Sequence, residues 1–211
     1  MLLSVSCKQL DVIGKGAKTS FGEVLTARSG TLGVDELTGG WTLPAPDGSA
    51  VFVWVPDFGT GALYDVMLVF DIQPFLDAGL NVNHLHDNIT INGDKIMVGT
   101  KLGGEKAAYT GAPTPLSSFE QIVDRNRGSI GYHIALDHYG VDLTDGFMFE
   151  WAKDMKTNDK DMVFVLNPEP FIAAGADPAK IDGWVFTTVP TMDKNGRKIE
   201  VEKILKPVNL L

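Results

Sequence analysis

One segment of the chain is written twice, and this constrains the fold more than any other feature. Gln73-Pro74-Phe75-Leu76-Asp77-Ala78-Gly79 returns as Glu169-Pro170-Phe171-Ile172-Ala173-Ala174-Gly175, displaced by 96 positions (170 − 74). Proline loses nothing in the first helical turn, where its missing N–H would have no partner. Glycine suits the left-handed position that closes a helix. Each copy therefore predicts a helix of little more than one turn, with Phe75 or Phe171 pinned against a sheet.

Other landmarks recur in the same order. Ser20 with Glu23, and Ser118 with Gln121, each read as a capping box, displaced by 98 (118 − 20). In such a box the hydroxyl satisfies a free helix N–H and the longer side chain reaches back to the cap. Both helices are expected to be short and to stop at Gly30 and Gly128. Gly40-Trp41-Thr42-Leu43 and Gly131-Tyr132-His133-Ile134 each open a short extended segment on an aromatic. Turns follow at Asp47-Gly48 and Asp145-Gly146. Val51-Phe52-Val53-Trp54 then matches Met148-Phe149-Glu150-Trp151, displaced by 97 (151 − 54). Phe and Trp two apart share one strand face, which reads as core. The other face holds Val53 in one copy and Glu150 in the other, so the strand is expected to be buried on both faces once and half-exposed once. The β-rich runs Asp65–Phe70 and Asp161–Leu166 lead into the Pro-Phe segments. Asn92-Gly93 and Asn195-Gly196 then mark hairpins, because both residue types tolerate positive φ.

These landmarks predict an α+β fold: a tandem duplication of a mostly antiparallel β unit with short helices, packed about a pseudo-twofold axis. The expected divisions are an N-terminal strand or extension over 1–18, one unit over 19–105, a linker over 106–116 and a second unit over 117–211. Within the extension, residues 1–13 read as a strand and Gly14-Lys15-Gly16-Ala17-Lys18-Thr19 as a flexible turn. That turn is not a phosphate loop, since Ala17 stands where glycine must precede the lysine and Val12 stands where the first glycine belongs.

Charge narrows the partners. The chain has a net charge of −9, which repels a phosphate backbone, so neither nucleic acid nor an anionic membrane surface is an expected partner. No apolar run reaches the roughly 18–20 residues of a membrane span. As numbered, the chain reads as cytoplasmic. The alternative is a bacterial envelope protein lipid-anchored at Cys7, since Leu2-Leu3-Ser4-Val5-Ser6-Cys7 resembles the end of a lipoprotein signal, and this requires an earlier start codon. A single cysteine excludes an internal disulfide and a cysteine-rich zinc site.

No nucleophile motif or metalloprotease helix is present. Two readings of function remain. The first is a non-enzymatic binding or interaction module whose cleft lies between the two units, lined by Trp41 and Tyr132, with a small molecule or a protein as partner and no cofactor. The second is a metal-binding protein or metal-dependent hydrolase holding a divalent ion on His84, His86, His133 and His138. On a strand, H-x-H places both imidazoles on one face, and Asp87 and Asp137 stand beside the two pairs.

Overall fold

A computed structural model describes residues 7–44, 48, 50–58, 62–102, 109–125, 130–134, 137–142, 147–154, 162–166, 169–177, 180, 186–192 and 198–208. The turn at Asp145-Gly146, the hairpin tip at Asn195-Gly196 and the glycine stop at Gly128 lie outside them. The fold is α+β with antiparallel sheets. Helix α1 (Cys7–Ala27) comes first, followed by β1 (Gly33–Val34), β2 (Trp41–Pro44), β3 (Val51–Trp54) and β4 (Val66–Asp71). Helix α2 (Gln73–Asp77), a 3₁₀ turn over Val82–His84, β5 (Ile89–Asn92) and β6 (Lys95–Thr100) complete the first half. The second half contains α3 (Pro115–Arg125), β7 (Ile130–His133), β8 (His138–Asp142), β9 (Phe147–Ala152), β10 (Met162–Leu166), α4 (Glu169–Ala173), β11 (Phe186–Met192) and β12 (Lys198–Val208).

The six strands of each half form one sheet, in the orders β1-β2-β3-β4-β6-β5 and β7-β8-β9-β10-β12-β11. The two orders match strand for strand. Each half thus has one strand more than the sequence suggested: β1 at the edge of the first sheet, and β8 beside the expected segment at Tyr132 in the second. A hairpin forms beside Asn92-Gly93, but Asn92 pairs with Lys95, so the turn residues are Gly93 and Asp94 and of the expected pair Gly93 takes positive φ (+58°). Gly79 and Gly175 close their helices at φ +96° and +91°, where a side chain would be strained.

Several local expectations are corrected. Residues 7–13 are helical rather than extended, and the glycine-containing stretch 14–19 continues the same helix, which runs for 21 residues. Its buried positions Ala17, Phe21, Val24 and Leu25 recur at helical spacing. Gly14, Gly16 and Gly22 stand inside this helix, and a glycine there costs about 1 kcal/mol. Gly16 has a packing reason: a Cβ there would lie 2.0 Å from the Tyr139 hydroxyl. Ser20 is therefore no cap, because it sits in mid-helix. The second cap also moves. Thr114 and Ser117 bond reciprocally, each backbone N–H donating to the other's hydroxyl at 2.8 and 3.1 Å, with Pro115 opening α3. Glu150 is not half-exposed either; it is 5 % accessible.

The helices cover the opposite sheets. Helix α1 packs on β7, β8 and β9 of the second half. The Trp151 indole donates to Ser20 Oγ at 2.8 Å, and Ser20 in turn donates to the Ala17 carbonyl. Conversely, α3 serves the first half. The Trp54 indole donates to the Pro115 carbonyl at 3.0 Å, and the Trp41 indole to Ser118 Oγ at 3.1 Å. Phe21 and Phe119 stack between the helices at 3.5 Å, ringed by Trp54, Phe149 and Trp151. Lys18 reaches Asp124 beside them at 2.7 Å. One continuous buried cluster consequently runs through both halves.

The Pro-Phe helices meet in the same crossed way. Asn81 N–H donates to the Ala174 carbonyl at 2.7 Å, and Asp177 N–H to the Ala78 carbonyl at 2.8 Å. Phe75 and Phe171 lie 5.3 Å apart. A Cβ on Gly79 would lie 3.1 Å from the Gly175 carbonyl oxygen, and one on Gly175 3.2 Å from that of Gly79. Small residues are what permit the approach.

Candidate functional site

The four histidines fall into two settings. His84 closes the 3₁₀ turn and His86 follows it, so neither is on a strand and both are exposed. His84 Nδ1 lies 3.3 Å from the Asn81 amide, and His86 Nδ1 2.5 Å from Asn88 Oδ1. His133 and His138 stand directly opposite each other in the β7–β8 ladder. The side chain of His133 is outside the described residues, whereas that of His138 is 2 % accessible and its Nδ1 lies 3.7 Å from Glu150 Oε2. Among the described residues, no group of three or more His, Cys, Asp or Glu is placed to hold a metal ion.

The two aromatics also separate. Trp41 packs on the core and is tied to α3 through Ser118. Tyr132 lies 5.3 Å from Tyr139, with the Lys153 ammonium 5.5 Å from its ring. Neither lines a described cleft directly. By strand register, the residue matching Trp41 is Tyr139, since Trp41 opposes Trp54 as Tyr139 opposes Trp151.

The larger described cleft lies between the halves. Its volume is about 720 Å³, and its lining is Thr19, Gly22, Glu23, Thr26 and Ala27 of α1 with Lys153 and Asp154 beyond β9. The Thr19 and Thr26 hydroxyls already donate to the Lys15 and Gly22 carbonyls one turn back, at 3.0 and 2.8 Å. Their oxygens remain as acceptors toward the cleft, beside the Glu23 and Asp154 carboxylates. Lys153 is held 3.7 Å from Asp137. A second cleft of about 530 Å³ lies beside α2, where Asp71, Gln73, Asp77 and Asp94 face Lys180 of the other half.

In the matching place of the first half, described side chains occupy the ground. Shifting Lys153 and Ala27 by the displacements of their elements leads to Pro56 (153 − 97) and Arg125 (27 + 98). There the Tyr109 hydroxyl donates to the Pro56 carbonyl at 2.6 Å, and the Ser118 hydroxyl donates to the same oxygen at 3.0 Å. The Arg125 guanidinium lies 4.9 Å from the Phe58 ring centre.

Burial raises the Tyr109 phenol above the ordinary tyrosine value, with the Ser118 hydrogen bond opposing and Asp57 reinforcing the shift. The Asp71 hydrogen bond likewise raises the Lys95 ammonium on β6. In both cases the folded state keeps a proton that the unfolded chain releases near pH 10. The associated stability is complete below about pH 10 and is lost as pH rises through the raised folded-state values. The melting temperature should accordingly fall as pH rises above about 10, and more gently in Tyr109→Phe. An identical decline in wild type and variant would remove Tyr109 from this account.

The sequence reading missed Glu150, Lys153 and the cleft face of α1. Nothing local to Thr19–Ala27 indicates that this helix crosses to the other sheet. In comparisons with known proteins, no family model, no curated protein and no solved structure matches this chain.

Proposed function

We propose that the chain is a tandem duplication about a pseudo-twofold axis and that it works as a non-enzymatic binding module. Its ligand would sit in the cleft between α1 and the end of β9. The observation that carries this reading is the difference between the halves. Two matched sheets and two exchanged helices lead to matched ground on either side, and in the first half Tyr109 and Arg125 occupy it, whereas among the described residues the second half leaves a cleft there. The open side is lined by residues of both halves, the junction that pockets favour.

The lining indicates the ligand class. Glu23, Asp154 and the two back-bonded threonines offer acceptors, against Lys153 as donor. A small donor-rich molecule, an amine or a polyol, complements that balance. The test is a ligand-observed NMR screen of short mono- and diamines and polyols against the whole chain. Ala27→Arg, which places at the cleft the residue that fills the first half, serves as the blocked variant. Binding is expected in wild type, with a loss of at least about tenfold in Ala27→Arg and in Glu23→Gln at unchanged melting temperature, the equivalent of about 1.4 kcal/mol. No binder in wild type, or a binder indifferent to both substitutions, would contradict the cleft.

A further inference from the structure

We infer that Tyr132 and Asp137 form a seat for the ammonium group of an alkylamine ligand, and that Lys153 fills this seat from within the chain as a stand-in the ligand displaces. The inference rests on the reading of the cleft beside α1 as a binding site and names how that site holds a cation.

The first support is an ammonium already in place. The Lys153 ammonium lies over the Tyr132 ring, 5.5 Å from its centre, and 3.7 Å from Asp137 Oδ1. An aromatic face attracts a cation through its quadrupole, and a carboxylate attracts it through its charge. Neither contact is a hydrogen bond at these distances, and Lys153 is exposed. Ion pairs and cation–π contacts at exposed positions are weak, so a ligand can send the lysine side chain into water. Lys153 also lines the cleft, and its departure opens the seat to a ligand lying there.

The second support is the backbone. Asp137 holds φ +54°, in the left-handed region that side chains rarely adopt. The matched turn of the first half has the same conformation: position 137 corresponds to 39 (137 − 98), where Gly39 has φ +68°. Glycine takes that conformation freely. An aspartate there is tolerated at some cost, and it brings a carboxylate to Lys153.

The third support is register. Tyr132 opposes Tyr139 as Val34 opposes Trp41, so Tyr132 stands where the first half has Val34. Lys153 stands where the first half has Pro56 (153 − 97). A valine, a glycine and a proline therefore serve the same three backbone positions, and the sheet does not require the tyrosine, the aspartate or the lysine.

The full chain is titrated with n-butylammonium chloride and followed by the NMR shifts of its amides. The uncharged control is 1-butanol, and potassium chloride holds the ionic strength constant. Saturable shifts at Tyr132, Asp137 and Glu23 are expected with the ammonium and not with the alcohol. Lys153→Met removes the stand-in and should tighten butylammonium at least about threefold, while Tyr132→Leu and Asp137→Asn should each weaken it by as much. Asparagine also accepts the left-handed backbone, so Asp137→Asn should melt as wild type does. Weaker binding in Lys153→Met overturns the seat, because Lys153 would then be a ligand contact. Binding that Ala27→Arg abolishes but Tyr132→Leu and Asp137→Asn leave unchanged also overturns it, with the cleft still standing. So does the absence of butylammonium binding in both wild type and Lys153→Met; the cleft itself falls only if the wider screen of amines and polyols is empty as well.

Discussion

Replacing Phe119 by alanine is expected to destabilise the whole molecule by about 4 kcal/mol, within the range for removing a buried aromatic. Phe119 is fully buried, stacks on Phe21 at 3.5 Å and meets Trp54 from one half and Trp151 from the other edge-on. The ring is a shared wall of the two halves, so its loss should not leave either of them intact. At roughly 2–4 °C per kcal/mol for a chain of this size, the melting temperature should drop by about 8–16 °C. The transition should remain single, with the near-ultraviolet signal of the tryptophans lost together with the far-ultraviolet signal. Two separated transitions, one half surviving the other, would show that the stack does not join the cores.

Trp151→Ala should cost still more, about 5 kcal/mol, because the cavity is accompanied by the loss of the indole hydrogen bond to Ser20. For a protein whose total stability is about 5–15 kcal/mol, that is a large share. The informative readout is the location of the damage. Trp151 belongs to β9, yet its indole is anchored on α1, more than a hundred residues away in sequence. Hydrogen exchange should show the α1 amides losing protection together with those of β9. If α1 stays as protected as before while β9 opens, the helix is held by something other than the second sheet.

The parts legible in the sequence are those decided by local chemistry. Proline at the start and glycine at the end of α2 and α4, the reversal beside Asn92-Gly93 and the Phe-x-Trp faces each need only neighbours a few residues away. What stayed hidden depends on partners distant in the chain. The apolar stripe of α1 states that a face is buried and says nothing of which sheet buries it. Ser20 with Glu23 fits a capping box, but the hydroxyl is spent on Trp151 and Ala17 in mid-helix. Glu150 reads as a half-exposed strand residue, and nothing local to it signals that it is buried.

One signal was present and misapplied. The displacement of 98 that relates Ser20 to Ser118 leads from Trp41 to Tyr139 (41 + 98), while pairing Trp41 with Tyr132 needs 91 (132 − 41). A constant displacement places the second aromatic on β8, where the ladder has it. It also aligns His138 with Gly40, so the buried His138 and Glu150 have no counterparts at the aligned positions of the first half.

The account rests on the exchange of helices between halves, and NMR contacts of the indole N–H protons test it most directly. Trp→Phe variants assign the signals. Trp151 should show nuclear Overhauser contacts to Ala17 and Ser20 of α1, and Trp54 and Trp41 to Pro115 and Ser118 of α3. Indole N–H contacts running the other way, from Trp54 to Ala17 and Ser20 and from Trp151 to Pro115 and Ser118, would mean that each helix covers its own sheet. The cleft between the halves would then have to be abandoned with it.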